Sequence, residues 1–200
     1  MSMTVLVAGA TGKTGHQVVQ YLLDQGHKPT ALVRDGSDTS GLPSGAELRQ
    51  GDLTDLKAGV CDGMEAVIFA AGSGSSTGPE MTQKVDRDGA KRLVDLARES
   101  GVKRFVMLSS IGADQTNPSG KIAHYLNAKH EADEHLKSSG LTYAIVRPVA
   151  LTNEGRSEKV ILGEGVDKAA KASRADVAYV LAEAATTGRY DGQAQDMQSA

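Results

Sequence analysis

Three side chains in the middle of this 200-residue chain are spaced for proton transfer: Ser110, Tyr125 and Lys129. If Ala123 to Ser138 forms a helix, Tyr125 and Lys129 share a face one turn apart. A tyrosine titrates near 10, poorly matched to neutral-pH chemistry, and a neighbouring ammonium favours its phenolate. Ser110 follows the apolar run Val102 to Leu108, where a strand end could hold a substrate oxygen against the tyrosine. Together the three would serve hydride transfer to or from a carbonyl. The competing reading is a tyrosine packed at a helix edge beside a solvated lysine. The chain has five tyrosines, so the four-residue spacing alone can arise by chance.

The same helix carries His130-Glu131-Ala132-Asp133-Glu134-His135. Zinc-binding H-E-x-x-H needs histidines four apart on one face, whereas a five-residue spacing turns them about 140° apart. A solvated charged face is expected there, and no metal.

A second stretch is suited to phosphate: Gly9-Ala10-Thr11-Gly12-Lys13-Thr14-Gly15. It lies between the β-branched apolar run Met3 to Ala8 and a segment with Val18, Val19, Leu22 and Leu23 at helical spacing. Strand, glycine turn and helix form the setting in which backbone N–H groups and a helix N-terminus meet a pyrophosphate. The spacing G-x-x-G-x-x-G is one residue wider at the front than the G-x-G-x-x-G dinucleotide fingerprint. A nucleotide-hydrolysing P-loop, G-x-x-x-x-G-K-[ST], would need glycine at position 7, which is Val7.

These groups must be carried by alternating strands and helices. The first helix should stop near Gly26, and a second strand should run from His27 to Arg34. At its end an acidic side chain suits the ribose 2′-hydroxyl of NAD, and an arginine the 2′-phosphate of NADP. Arg34 stands first, with Lys13 able to reach the same phosphate, so NADP(H) is favoured over NAD(H); Asp35 keeps NAD open. Gly36 to Gly45 reads as loop and Ala46 to Gln50 as a short third strand. Asp52 then admits two readings: an acceptor for the adenine amino group with Leu53 packed on the ring, or, like Thr54, a cap for a short helix near 55–59. Ala66 to Ala71 is a fourth strand, apolar as one buried on both faces should be. It leads into the Ser/Gly loop 72–78, a cofactor cover or a mere connection. A helix over about 82–100 and a fifth strand from Val102 to Leu108 follow. Strands alternating with helices over this length require a parallel sheet with right-handed crossovers.

Composition limits the alternatives. Apolar residues are 40% and charged residues 24%, values ordinary for a soluble domain with one core. A net charge of −3 without a basic run argues against nucleic acid as the partner. Cys61 has no second cysteine to pair with, which suits a reducing compartment. No apolar run approaches the roughly 18 residues of a membrane span. The expectation is a cytoplasmic protein, monomer or dimer, with a small-molecule substrate.

With these residues in view, the chain resembles the short-chain dehydrogenase/reductase superfamily, in its atypical branch of NmrA-like proteins, biliverdin-reductase-B-like proteins and small sugar epimerases. The resemblance is carried by Gly9 to Gly15, Leu32-Val33-Arg34-Asp35, Gly51 to Asp55, Val102-Lys103-Arg104-Phe105-Val106 through Ser110, Tyr125 with Lys129, and Tyr143 to Pro148. It implies a Rossmann fold: α/β, a doubly wound parallel sheet in a single domain with a short C-terminal extension. It also implies cofactor contacts at Gly9, Thr11, Gly12, Lys13, Thr14, Gly15, Arg34, Asp52, Leu53, Ala70, Ala71, Gly72, Lys129 and Pro148, and the trio Ser110, Tyr125 and Lys129 at the chemistry. Where larger relatives carry asparagine after the fourth strand, this chain has Val85-Asp86.

A sixth strand from Leu141 should be stopped by Pro148, and the 52 residues after it are too few for a separate substrate domain. A short strand near 159–162, a helix from Arg174 to Ala185 capped by Ser173, and a final edge strand at Gln195-Asp196-Met197 are expected. The substrate site would be built from loops 72–82, 111–122 and 149–170, and suits a small or flat molecule. The leading expectation is an NADP(H)-dependent oxidoreductase. A sugar epimerase-like enzyme and an NADP(H)-binding redox sensor without turnover are the alternatives.

Overall fold

The computed structural model describes residues 1–74, 77–157 and 159–200. Parts of the expected substrate loops, at 75–76 and at 158, lie outside the described residues. In chain order the elements are β1 (Thr4–Ala8), α1 (Lys13–Asp24), β2 (Lys28–Val33), β3 (Glu47–Gln50), β4 (Ala66–Phe69), α2 (Pro79–Met81), a π-helical segment (Thr82–Gly89), α3 (Ala90–Glu99), β5 (Arg104–Leu108) and α4 (Ala123–Ser138). Then come β6 (Thr142–Pro148), β7 (Ala150–Thr152), β8 (Val160–Leu162), a 3₁₀ turn (Gly163–Gly165), β9 (Lys171–Ser173), α5 (Arg174–Thr187) and β10 (Gln193–Ser199).

Among the described residues the main sheet has the order β3-β2-β1-β4-β5-β6-β10-β8, parallel except for β8. The chain winds outward from β1 to β3 and then returns to β4 on the other side of β1. That reversal opens a crevice at the carboxyl ends of β1 and β4, where this kind of sheet takes its ligands.

Alternation along the strands divides the core between two faces. Val5 and Val7 of β1 pack with Val18, Val19 and Leu22 of α1 and with Val177 and Leu181 of α5. Leu6 and Ala8 face the other way, into a cluster with Phe69, Leu93, Phe105, Met107 and Leu136. Each fully buried Leu or Phe contributes about 1.5–3 kcal/mol, so both helical layers are firmly held. Helices on both faces make this the doubly wound α/β domain that the sequence predicts.

The structure corrects several boundaries. No helix forms near 55–59; residues 52–55 make a turn in which Asp52 Oδ1 accepts from the Thr54 N–H at 2.8 Å and the Thr54 hydroxyl at 2.7 Å. Only six residues separate Asp52 from Gly59, whose φ is +83°, too short a run to repay helix nucleation. The helix expected over 82–100 begins at Pro79 and is π-helical from Thr82 to Gly89. The final strand is not an edge: β10 lies between β6 and β8. Beyond Pro148, β7 pairs in parallel with β9, a two-stranded sheet that the sequence does not announce.

Candidate active site

The glycines divide their work. Gly9 has φ +82°, and a Cβ there would lie 2.6 Å from the backbone of Ala71. A Cβ on Gly15 would lie 2.0 Å from the Gly9 carbonyl oxygen. These two let β1, α1 and the end of β4 approach closely, while Gly12 is exposed and donates its N–H to Gly9 O at 3.0 Å. Gly12 is also the N-cap of α1 and offers no side-chain cap. The first amides of α1, from Lys13, Thr14 and Gly15, therefore have no acceptor within the helix and carry its positive end. A dinucleotide pyrophosphate fits this turn.

Above the turn lies a cleft of about 700 Å³, walled by Gly9, Thr11, Gly12, Arg34, Asp52, Leu53, Ala70, Ala71 and Gly72. Ser37, Ser73, Lys84 and Val85 line it too; of these only Ser73 was anticipated, as part of the Ser/Gly loop 72–78. The remaining expected contacts stand apart from its walls. Lys13 is exposed on the first turn of α1, Thr14 and Gly15 are buried beneath it, and Pro148 is buried at the end of β6. Lys129 is buried as well.

Arg34 is exposed where β2 ends and borders both this cleft and an adjoining hollow of about 450 Å³ that it shares with Asp35, Ser37 and Lys57. The Thr54 N–H and hydroxyl hold the Asp52 carboxyl below its ordinary range; burial opposes them and the Arg34 guanidinium assists. Both Thr54 bonds fall on Oδ1, which leaves Oδ2 able to accept from another donor.

The helical spacing brings Tyr125 and Lys129 together: Lys129 Nζ lies 5.6 Å from the Tyr125 ring centroid and 5.6 Å from that of Phe69. Tyr125 is half-buried, and Lys129 is only 2% exposed. Ser110 is half-buried just beyond β5, its hydroxyl 3.4 Å from the Ile111 carbonyl oxygen. Its neighbour Ser109 points the other way and donates to Asp133 Oδ2 at 2.9 Å.

Lys129 does not stand alone. Its ammonium lies 3.1 Å from Asp86 Oδ1 and donates to the Leu108 carbonyl oxygen at 3.3 Å. Asp86 Oδ2 accepts from the Ser73 N–H at 2.9 Å, and the Ser73 and Thr82 hydroxyls are 3.1 Å apart. On the far side, Arg147 donates to Asp133 Oδ2 through Nε at 3.1 Å and a terminal nitrogen at 3.0 Å. Burial works against the Lys129 charge, but Tyr125, Asp86 and Asp133 more than offset it, and Lys129 titrates above the ordinary lysine range. The sequence puts Asp133 on a solvated charged face, but it is 0% exposed because α4 turns it onto Arg147 and Ser109; Asp86 was foreshadowed only by standing where an asparagine is usual.

His130 and His135 have separate partners, the Ala113 carbonyl oxygen and Asp95, and no metal-binding group occurs among the described residues. Nor is any described helix long and apolar enough to cross a membrane.

Glycine turn, cleft and sheet reversal together define a dinucleotide-binding α/β protein. The chain belongs to the NAD(P)H-binding family, whose sequence profile matches residues 9–187. A protein of Bacillus subtilis (strain 168) named as an uncharacterised sugar epimerase is 37% identical over 185 residues, covering 90% of this chain and 86% of its own. A solved structure from Bacillus halodurans, provisionally described as an NAD-dependent epimerase/dehydratase, matches with a TM-score of 0.93 at 34% identity. It covers 100% of this chain and 95% of that one. An oxidoreductase from Lactococcus lactis matches with a TM-score of 0.87 at 27% identity, over 99% of this chain and 91% of that one.

Proposed function

We propose that this protein is an NADP(H)-dependent oxidoreductase of the atypical short-chain dehydrogenase/reductase type, acting on a small carbonyl, hydroxyl, quinone or flavin-like molecule. The observation that carries the reading is the Tyr125–Lys129 pair, on a helix whose lysine is tied through Asp86 to the cleft wall at Ser73. Bound nicotinamide would supply or accept the hydride. Gly12 and the first amides of α1 would hold the pyrophosphate, Asp52 and Leu53 the adenine, and Arg34 the 2′-phosphate. Tyr125 exchanges the proton at the substrate oxygen, Ser110 orients that oxygen, and Lys129 supports the tyrosine from below. The substrate is a small molecule, not nucleic acid or a membrane. A cytoplasmic location accords with the single, buried Cys61, whose thiol burial pushes up to about 12 and out of reach of ordinary thiol chemistry.

Nucleotide binding tests the site directly. Wild type should bind NADPH more tightly than NADH or ATP, and Arg34→Ala should remove that preference by a factor of about 10 or more, as for loss of a charge-assisted contact. Equal binding of NADPH and NADH by wild type would take Arg34 out of the cofactor site. A best affinity for ATP would overturn the oxidoreductase reading.

A second reading, an epimerase-like enzyme that oxidises and re-reduces one carbon, is favoured by the names of the Bacillus subtilis and Bacillus halodurans relatives. Epimerisation leaves no net change in reduced nicotinamide, whereas a reductase consumes it. Absorbance of the cofactor during turnover separates the two.

A further inference from the structure

The buried charges behind the cleft form two pairs with different owners. Asp133 Oδ2 is taken by both Arg147 nitrogens and by Ser109, so that carboxylate belongs to Arg147. Asp86 has no such rival. Its side chain is 0% exposed, and its one cationic neighbour among the described residues is the Lys129 ammonium. Lys129 is faced by Asp86 from the π-helical segment, by Tyr125 and Asp133 from its own helix, by the Leu108 carbonyl from β5 and by the Phe69 ring from β4; Arg147 of β6 stands behind Asp133. Asp133 shares its charge with Arg147, and a neutral carbonyl and two rings add too little to keep an ammonium charged in a dry site, because desolvation drives a buried lysine toward the amine. An amine there would give Tyr125 no electrostatic support.

We propose that Asp86 is a positioning residue: its carboxylate keeps Lys129 an ammonium, holds it beside Tyr125, and fixes both to the cleft wall at Gly72 and Ser73. The inference rests on reading Tyr125 and Lys129 as the reacting pair. The local fold is built around that contact. Oδ2 is anchored by the Ser73 N–H, and a Cβ on Gly72 would lie 3.3 Å from Oδ1, so the cleft wall rests directly on this carboxylate. The π-helical segment is seated by Gly89, whose absent Cβ would come 2.6 Å from the Leu53 carbonyl oxygen. The cleft floor, the segment and the lysine therefore keep one register.

The test is a pH titration of the lysine side-chain nitrogens by ¹⁵N NMR on the whole protein, with the Lys129 signal assigned by its loss in Lys129→Met. In wild type the signal should remain that of an ammonium to at least about pH 10, near the ordinary lysine value. Asp86→Asn should lower the titration by at least about one pH unit, a tenfold loss of proton affinity, and Asp86→Glu should restore most of it. A Lys129 that titrates alike in wild type and Asp86→Asn overturns the proposal. If Asp86→Asn does not fold, judged by far-ultraviolet circular dichroism, wild type decides. A Lys129 already an amine at about pH 9 overturns the proposal, and a persistent ammonium supports it. Neither nucleotide nor substrate is needed, so failure to find turnover would sink the oxidoreductase reading and leave this result standing.

Discussion

Tyr125 is one turn from Lys129 on α4 and half-buried, and its ring is the only described one besides Phe69 within cation–π reach of that ammonium. On the proposed reading the phenol transfers the proton at the substrate oxygen. Tyr125→Phe should therefore lower turnover about 10²–10⁴-fold and leave nucleotide affinity nearly unchanged, as steady-state rates and NADPH titration would show. Undiminished turnover would remove the tyrosine from the mechanism. At this scale the sequence was informative where the contact is local. The four-residue step between Tyr125 and Lys129 follows from helix geometry alone. The Asp86 contact joins residues 43 positions apart through a π-helical segment, and no periodicity encodes it. Arg147 was legible as part of a motif, yet its bond to Asp133 depends on how α4 lies over β6.

The strand, glycine turn and helix at 4–24 were readable because each piece has its own chemical sign: β-branched run, glycines, helical spacing. The division of labour among the glycines was not, since it depends on where β4 delivers Ala71 and how α1 sits on Gly9. It has measurable consequences. Gly15→Ala sets a methyl 2.0 Å from the Gly9 carbonyl oxygen, against backbone of Gly9 and Ala10 that cannot yield easily. Overpacking of this kind costs about 1–3 kcal/mol or more. Urea melts should show the loss in Gly15→Ala. In Gly12→Ala the nearest atom is 3.2 Å away and the rest is open cleft, so that variant should melt near wild type and be weakened instead in nucleotide binding. A Gly15→Ala protein as stable as wild type would contradict the packing role. The short helix expected near 55–59 failed for a related reason. Asp52 has a capping side chain, but its Thr54 bonds close a turn and too few residues follow for a helix to grow.

Across the whole molecule, Asp176 ties the last third of the chain together. It is fully buried at the start of α5, where Ser173 accepts its N–H as the helix cap. Its carboxylate accepts from the Ser199 hydroxyl of β10 and from the Ser157 hydroxyl at 2.7 Å. Burial raises the Asp176 carboxyl, but the serine hydroxyls and the Ser157 N–H outweigh it and hold the group below the ordinary aspartate range. The native state therefore binds this proton less readily than the unfolded chain. The resulting stability is present above about pH 4 and is lost as pH falls through the native value. Asp176→Asn should be less stable at neutral pH and should lose less stability than wild type on acidification, which denaturant melts from pH 7 to 3 would reveal. Equal acid sensitivity in the two proteins would remove Asp176 from that role. The overall architecture was the most legible level of all, because alternating apolar strands and amphipathic helices admit few windings. Of the C-terminal strands β8 and β10 were legible, whereas β7 and β9, three residues each, carry almost no pattern.

The position of β10 also bears on how the protein is made. Its residues, 193–199, follow every other element in the chain, yet they lie between β6 and β8 and pair with both. While the nascent chain is still being extended, β1 through β5 can assemble as they emerge from the ribosome, but β6 keeps a bare edge of unpaired amides and carbonyls. β8, already synthesised, has no neighbour in the sheet to join. The growing polypeptide is thus exposed to wrong strand pairing until residues 193–199 have been translated and fill the place between β6 and β8.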